Sequence, residues 1–201
     1  MKKSLLLCLL ALIAIPSLAH SEEPIDVLKR TVNLGMALLT DPQYQLENKK
    51  EEQQELLCEA TRRVFDAREF SRRVLSSKWH LFSPEERNEF VDVFSEFLCK
   101  HYITRLQKRY KDEKVIFVSQ NFIGNRVAQV RVNVLWKVLQ VPVEVRMLRR
   151  NLTWKVYDII VFGVSGLENY REQFQELLRN NTPSQVIKRI RNRVKEEEGT
   201  G

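Results

Sequence analysis

Few side chains in this sequence are spaced for chemistry. Gly163-Val164-Ser165-Gly166-Leu167 sets a serine between glycines, as an exposed nucleophile at a strand-to-helix turn would require. That arrangement needs a glycine two residues after the serine, and Leu167 stands there, which excludes it. The segment reads instead as a tight exit from a strand, with Ser165 near the start of a helix. His80 and His101 have no acid or thiol at ligand spacing, so no zinc-type site is expected. Asp158 lies between Tyr157 and Ile159, the one sheet acid with apolar neighbours on both sides. It is the sole candidate for a buried general base, or else it holds backbone N–H groups where a strand ends. Cys58 and Cys99 could pair in an oxidising compartment or remain two buried thiols; their spacing leaves both open. Arg72-Arg73 sits among Phe65, Phe70, Val74, Leu75 and Trp79. A basic pair there suits a lipid headgroup above an apolar cavity, and equally suits side chains snorkelling over ordinary core.

The elements that must position these groups follow from composition and period. The chain has 201 residues, 43% hydrophobic and 29% charged, enough for one globular domain. Only six glycines occur, which excludes glycine-rich phosphate loops. Lys2 and Lys3, the apolar run from Leu5 to Ile15, Pro16, and then Ser17-Leu18-Ala19 form an export signal. Cleavage is expected after Ala19, leaving a single domain over residues 20–201. The apolar run is shorter than the roughly 20 residues a membrane span needs. Leu7 before Cys8 argues against a lipid-modified cysteine. Cleavage removes Lys2 and Lys3 and lowers the formal net charge from +7 to +5, and a basic exported chain points to anionic lipid and envelope surfaces rather than nucleic acid.

A helical part is expected over residues 24–110. Glu22-Glu23-Pro24 opens the first helix and Asp41-Pro42 ends it. Residues 48–64 form a second, and Asp66 caps a third carrying Phe70, Val74 and Leu75. Ser83-Pro84-Glu85-Glu86 opens a long helix with the stripe Phe90, Val93, Phe94, Phe97, Leu98, Tyr102 and Leu106. The period then switches to two. A sheet over 114–161 is expected as a four-stranded antiparallel meander, with turns at residues 121–125 and at Asn151-Leu152. Helices over about 167–179 and 183–195 follow, with a frayed tail at Lys195-Glu196-Glu197-Glu198. The fold class is α+β.

Three blocks together resemble the MlaC family, the periplasmic phospholipid-binding component of a lipid-transport system. The first is Val64-Phe65-Asp66 with Phe70-Ser71-Arg72-Arg73-Val74-Leu75 and Trp79. The second is Ser83-Pro84-Glu85-Glu86-Arg87 with Phe90, Phe94, Leu98 and Tyr102. The third is Trp154-Lys155-Val156-Tyr157-Asp158, Gly163-Val164-Ser165 and Asn169-Tyr170-Arg171-Glu172-Gln173-Phe174. The family commonly has a glycine where this chain has Ser76.

The resemblance implies an NTF2-like or cystatin-like sheet and a deep apolar cavity that holds acyl chains while the headgroup stays near solvent. It implies a phospholipid cargo, no other cofactor, no metal and no catalysis. The implied role is a monomeric periplasmic shuttle between an outer-membrane lipoprotein–porin complex and an inner-membrane ABC transporter with an MCE-domain subunit, maintaining outer-membrane lipid asymmetry. An enzyme on an NTF2-like scaffold and a peptide-binding periplasmic module are the alternatives. Alternation and helical spacing place the expected lipid-binding residues at Phe94, Leu98 and Tyr102, at Val130, Val132 and Val134, at Val143, Val145 and Met147, and at Trp154 and Val156. Arg72 and Arg73 are the expected rim. Amino-terminal sequencing of the exported protein should begin at His20; a retained Met1 or a lipid on Cys8 would overturn the leader assignment.

Overall fold

The computed structural model describes residues 22–198, so the export signal, including Cys8 and the Ala19 cleavage site, lies outside the described residues. Four helices come first: α1 (Pro24–Thr40), α2 (Lys50–Val64), α3 (Ala67–Leu75) and α4 (Pro84–Arg109). The strands β1 (Lys114–Ile123), β2 (Val127–Trp136), β3 (Leu139–Arg150), β4 (Thr153–Val161) and β5 (Val164–Ser165) follow, then α5 (Gly166–Asn180) and α6 (Pro183–Glu198). The sheet is antiparallel in the order β1-β2-β3-β4-β5. The expected α+β class holds.

The helix starts obey their local chemistry. Ser83 Oγ accepts from the Glu86 N–H at 3.1 Å, and the Glu86 carboxylate accepts from the Ser83 N–H at 2.9 Å. The Asp66 carboxylate accepts from the Glu69 N–H at 2.9 Å and caps α3. Asp41 turns α1 off by accepting from the Gln43 N–H at 3.0 Å.

Four expectations need correction. The first turn of the sheet lies at residues 124–126, because Asn121 and Phe122 stay paired with Gln129 and Ala128. Cross-strand pairing there outweighs the low strand propensity of asparagine. A fifth strand exists: Val164 and Ser165 fold back onto Val161 and Ile160. The segment is too short for any alternation to announce it. The tail is helical to Glu198, and the Glu197 carboxylate reaches His101 Nδ1 at 2.6 Å, a contact 96 residues distant in sequence. Finally, β4 carries a register shift between the partners of Arg146 and Met147, which leaves Tyr157 as an extra residue.

The sheet is packed on both faces. On one, Val27 and Leu28 of α1 and Val64 of α2 cover Ala128, Val130, Val132, Val145, Met147, Trp154 and Val156. The other core joins Leu148 and Tyr157 to α3, α4, α5 and α6, around Phe70, Phe90, Phe94, Tyr170 and Phe174. The Phe90–Phe174 and Phe94–Phe174 rings meet edge to face at 5.2 and 5.0 Å. Such pairs add about 1 kcal/mol each beyond area burial. A third, small cluster joins α1, α2 and α4 through Leu39, Leu57 and Ile103 around a disulfide between Cys58 and Cys99. The bridge settles which of the two thiol arrangements the fold adopts.

Ser76 closes α3 with φ 50° and ψ −124°, a conformation in which a side chain crowds the backbone. Ser76→Gly should therefore raise stability by about 1 kcal/mol, read as a higher midpoint in denaturant at unchanged slope. A loss of stability would show that the serine side chain supports the turn.

Candidate functional site

An apolar pocket of about 540 Å³ opens where α2, α3, α4, the end of β4 and the start of α5 meet. Its volume lies within the roughly 300–1,000 Å³ usual for ligand sites. Helix α2 supplies Cys58, Thr61 and Arg62; α4 supplies Leu98, Cys99, Tyr102 and Ile103. Phe65 and Phe70, the strand residues Ile159, Val161 and Val164, and Asn169 and Tyr170 of α5 complete the lining. The Cys58–Cys99 bridge, with Cα atoms 5.7 Å apart, ties α2 to α4 within that lining.

The register shift in β4 creates the strand wall. In an antiparallel pair, directly opposed residues share a face. Met147 opposes Val156, but after the extra Tyr157 it is Ile159 that opposes Val145, and Val161 that opposes Val143. The apolar face thus passes from even to odd numbers along β4. Ile159 is 46% exposed and opens onto the pocket, whereas Val145 beside it is 5% exposed beneath α1.

The same shift turns Asp158 to the other face, where it is 1% exposed. Its carboxylate accepts from Ser165 Oγ at 2.8 Å and from the Leu167 N–H at 3.0 Å, with the Arg146 guanidinium at 3.5 Å. Ser165 Oγ in turn accepts from the Glu168 N–H at 3.1 Å, capping α5. The carboxylate and the hydroxyl are thus engaged in holding the helix start against β4. Of the two roles open to Asp158, its contacts are those of the backbone anchor.

Tyr170 Oη lies 3.2 Å from Tyr102 Oη, and burial pushes the Tyr170 phenol well above its ordinary pKa. Both tyrosines also border a second cavity of about 830 Å³ between α4, α5 and α6. That cavity is of mixed character, with Phe94, Phe97, Phe174 and Ile190 on its walls beside His101, Arg105, Arg189 and Glu197. Burial opposes ionisation of Glu197, but His101 and Arg105 outweigh it and hold the carboxyl below the ordinary range. The tyrosine pair therefore stands between the two cavities.

The structure divides the eleven expected lipid-binding residues. Leu98 and Tyr102 line the apolar pocket. Phe94 is buried in the aromatic core and borders the mixed cavity between α4, α5 and α6. Val130, Val132, Val145, Met147, Trp154 and Val156 are packed under α1, with Val143 against the edge of that cluster. Val134 is half-buried near the end of β2. The strand residues that do reach the pocket, Ile159 and Val161, escaped sequence reading because alternation carries no mark of an inserted residue.

Arg72 and Arg73 are also elsewhere. The Glu69 carboxylate, 7% exposed, draws both, at 2.8 and 2.7 Å, and Arg150 joins from β3 at 3.0 Å while also bonding Asp66. Arg73 lies over the Tyr157 ring at 4.4 Å. Arg72 borders a polar hollow of about 550 Å³ on the far side of Phe65 and Ala67. The cation at the rim of the apolar pocket is Arg62, exposed and without an ion pair or hydrogen bond among the described residues.

The sequence matches the profile of the MlaC protein family over residues 29–192. It is 30% identical over 102 residues to the intermembrane phospholipid transport system binding protein MlaC of Haemophilus influenzae. That alignment covers 48% of this chain and 47% of the relative, so the match spans about half the relative's length. The fold is similar, with a TM-score of 0.77 at 19% identity, to that of a phospholipid-binding protein from Ralstonia solanacearum solved in complex with a phospholipid. The superposition covers 88% of this chain and 99% of that one.

Acid should expose the Glu69 cluster. The Arg72 hydrogen bond, aided by Arg73 and opposed by burial, lowers the Glu69 carboxyl from 4.5 to about 2. A depressed carboxyl stabilises the fold fully above the unfolded value and loses that contribution as pH falls through the folded one. Melting temperature should therefore fall more steeply between pH 4.5 and 2 in the parent than in Glu69→Gln. At neutral pH that variant should lose about 2 kcal/mol, less than for a fully buried pair because the guanidinium groups keep contact with water. Parallel pH profiles would show that the cluster adds nothing to stability.

Proposed function

The chain belongs to the MlaC protein family, and from that premise we propose that it is a periplasmic phospholipid carrier. In this reading the chain is exported by its leader and takes a phospholipid as cargo. It moves that lipid between an outer-membrane lipoprotein–porin complex and an inner-membrane ABC transporter bearing an MCE-domain subunit. Outer-membrane lipid asymmetry is what such traffic maintains.

The observation that carries the reading is the apolar pocket with an arginine at its rim that has no partner among the described residues. Each acyl methylene left in water costs about 0.8 kcal/mol, so a free two-chain lipid does not cross an aqueous compartment at a useful rate. A pocket walled by Ile159, Val161, Leu98, Tyr102 and Phe70 replaces the bilayer interior for part of that chain. Arg62 can meet the phosphate as a charge-assisted hydrogen-bond donor while the headgroup stays in solvent. The apolar core under α1 gives the sheet wall its rigidity. An isomerase on this scaffold would need Asp158 free as a base, and both of its oxygens already accept hydrogen bonds.

Val145 and Ile159 face each other across β3 and β4 and differ only in what lies above them. Val145→Glu buries a carboxylate in packed core and should cost about 3 kcal/mol or more, with loss of the folded state in a thermal melt. Ile159→Glu sets its carboxylate on a wall that water can reach. It should keep the fold and abolish phospholipid in organic extracts of the purified protein. Folded Ile159→Glu that still carries lipid would remove this pocket as the acyl site.

A further inference from the structure

The two ends of the sheet differ in what they expose. At one end, the β2–β3 connection is only Lys137 and Val138, between the paired Trp136 and Leu139. Two-residue hairpin turns favour glycine, asparagine or aspartate where the backbone becomes left-handed. Here Lys137 takes that conformation, with φ 56°, and Val138 beside it is 98% exposed. Trp136 and Leu139 are exposed as well. At the same end β4 finishes, and Phe162 turns the chain with φ 51° while 64% exposed. Its N–H donates to the Pro142 carbonyl at 3.2 Å. Pro142 is three residues along β3 from Leu139, so the two turns stand about 10 Å apart.

In both turns a non-glycine side chain, Lys137 or Phe162, holds the left-handed first position, while Gly163 at φ 80° supplies the second position of the Phe162 turn. Strained positions of this kind persist where they serve a use. Both turns hold bulky apolar side chains out into water, and one places a lysine between them. Val161 and Val164, next to Phe162, are also walls of the apolar pocket. The exposed edge is therefore continuous with the pocket itself.

The shape and charge of this edge select its occupant. A stable protein partner covers a broad surface of roughly 800 Å² per side. Two narrow turns tipped by tryptophan, valine and phenylalanine suit insertion among lipid headgroups instead, where amphipathic rings and lysine stems are well solvated. Lys137 at the tip, Lys114 at the start of β1 opposite Leu135, and Arg62 at the pocket rim would meet anionic headgroups. Asp112 and Glu113, just before β1, are the acids in that stretch of chain, and the Glu113 carboxylate is engaged with the Lys111 N–H at 2.7 Å. Without Lys2 and Lys3 of the leader the formal net charge falls from +7 to +5, which favours the same partner. We infer that this edge docks on an anionic lipid bilayer, with Trp136, Val138 and Phe162 entering the headgroup layer and the pocket turned toward the membrane. The inference rests on the carrier reading above.

Two measurements test it on the full exported protein. In the first, vesicles of brominated phosphatidylcholine with and without phosphatidylglycerol are added and tryptophan emission is followed. Trp154 is buried and Trp79 half-buried, so Trp136 should report contact. Quenching should occur on the anionic vesicles and vanish in Trp136→Phe. In the second, Val138→Ser combined with Phe162→Ser should lower vesicle co-flotation about tenfold while the phospholipid extracted from the protein stays at the parent level. Parent protein that carries phospholipid but neither floats nor quenches overturns the docking inference and leaves the carrier reading intact. Protection of these turns from hydrogen exchange by a protein partner, without vesicle binding, also overturns it. Parent protein free of phospholipid removes the carrier reading instead.

Discussion

The buried carboxylate of Asp158 fixes the geometry on which the pocket depends. A charge that is 1% exposed is tolerable only if its oxygens are bonded, and the donors available are Ser165, the Leu167 N–H and Arg146. Those donors belong to the return strand β5, the first turn of α5 and the neighbouring strand β3. Satisfying one carboxylate thus brings three elements to one point. Helix α5 then has no freedom to slide along β4, and Tyr170 is held opposite Tyr102. Asp158 can face that way only because Tyr157 is an extra residue in the register. The same insertion turns Ile159 and Val161 to the face they share with Val145 and Val143, at a strand end outside the cluster under α1. Anchor and pocket wall are consequences of one bulge.

Coverage explains why the sheet is core in one region and pocket in another. Helix α1 lies over β1 and β2 and closes the apolar face there. The end of β4 is left to α2 and α4, which the Cys58–Cys99 bridge joins to each other. Two helices tethered together can stand off from the strand without either one collapsing onto it. Packing density near that of a molecular crystal is what a core needs, and a ligand pocket exists where rigid neighbours prevent it.

Charge is partitioned as firmly as apolar surface. Glu69 gathers Arg72, Arg73 and Arg150 and so binds α3 to β3. These arginines fasten α3 to β3 and do not line the apolar pocket. Arg62 has no such partner among the described residues. An unpaired cation beside an apolar opening is the arrangement expected of a site that recognises an anionic headgroup and leaves the chains to non-directional burial.

Helix starts, strand alternation and the α+β class were legible in the sequence because each depends on contacts within a few residues. Ser83 and Glu86, or Asp66 and Glu69, meet through local backbone geometry alone. The buried identity of Val130, Val132 and Val145 was legible too, since period two fixes a face. What that face meets was not. Whether a valine lies under a helix or beside a void depends on where α1 stops, which is a matter of packing across the chain. The bulge at Tyr157 and the disulfide are settled by residues far apart in sequence. Local spacing determined the elements and their apolar faces. Only the tertiary structure decided which apolar residues close into core and which remain open to a ligand, because a cavity is defined by the neighbours that fail to fill it.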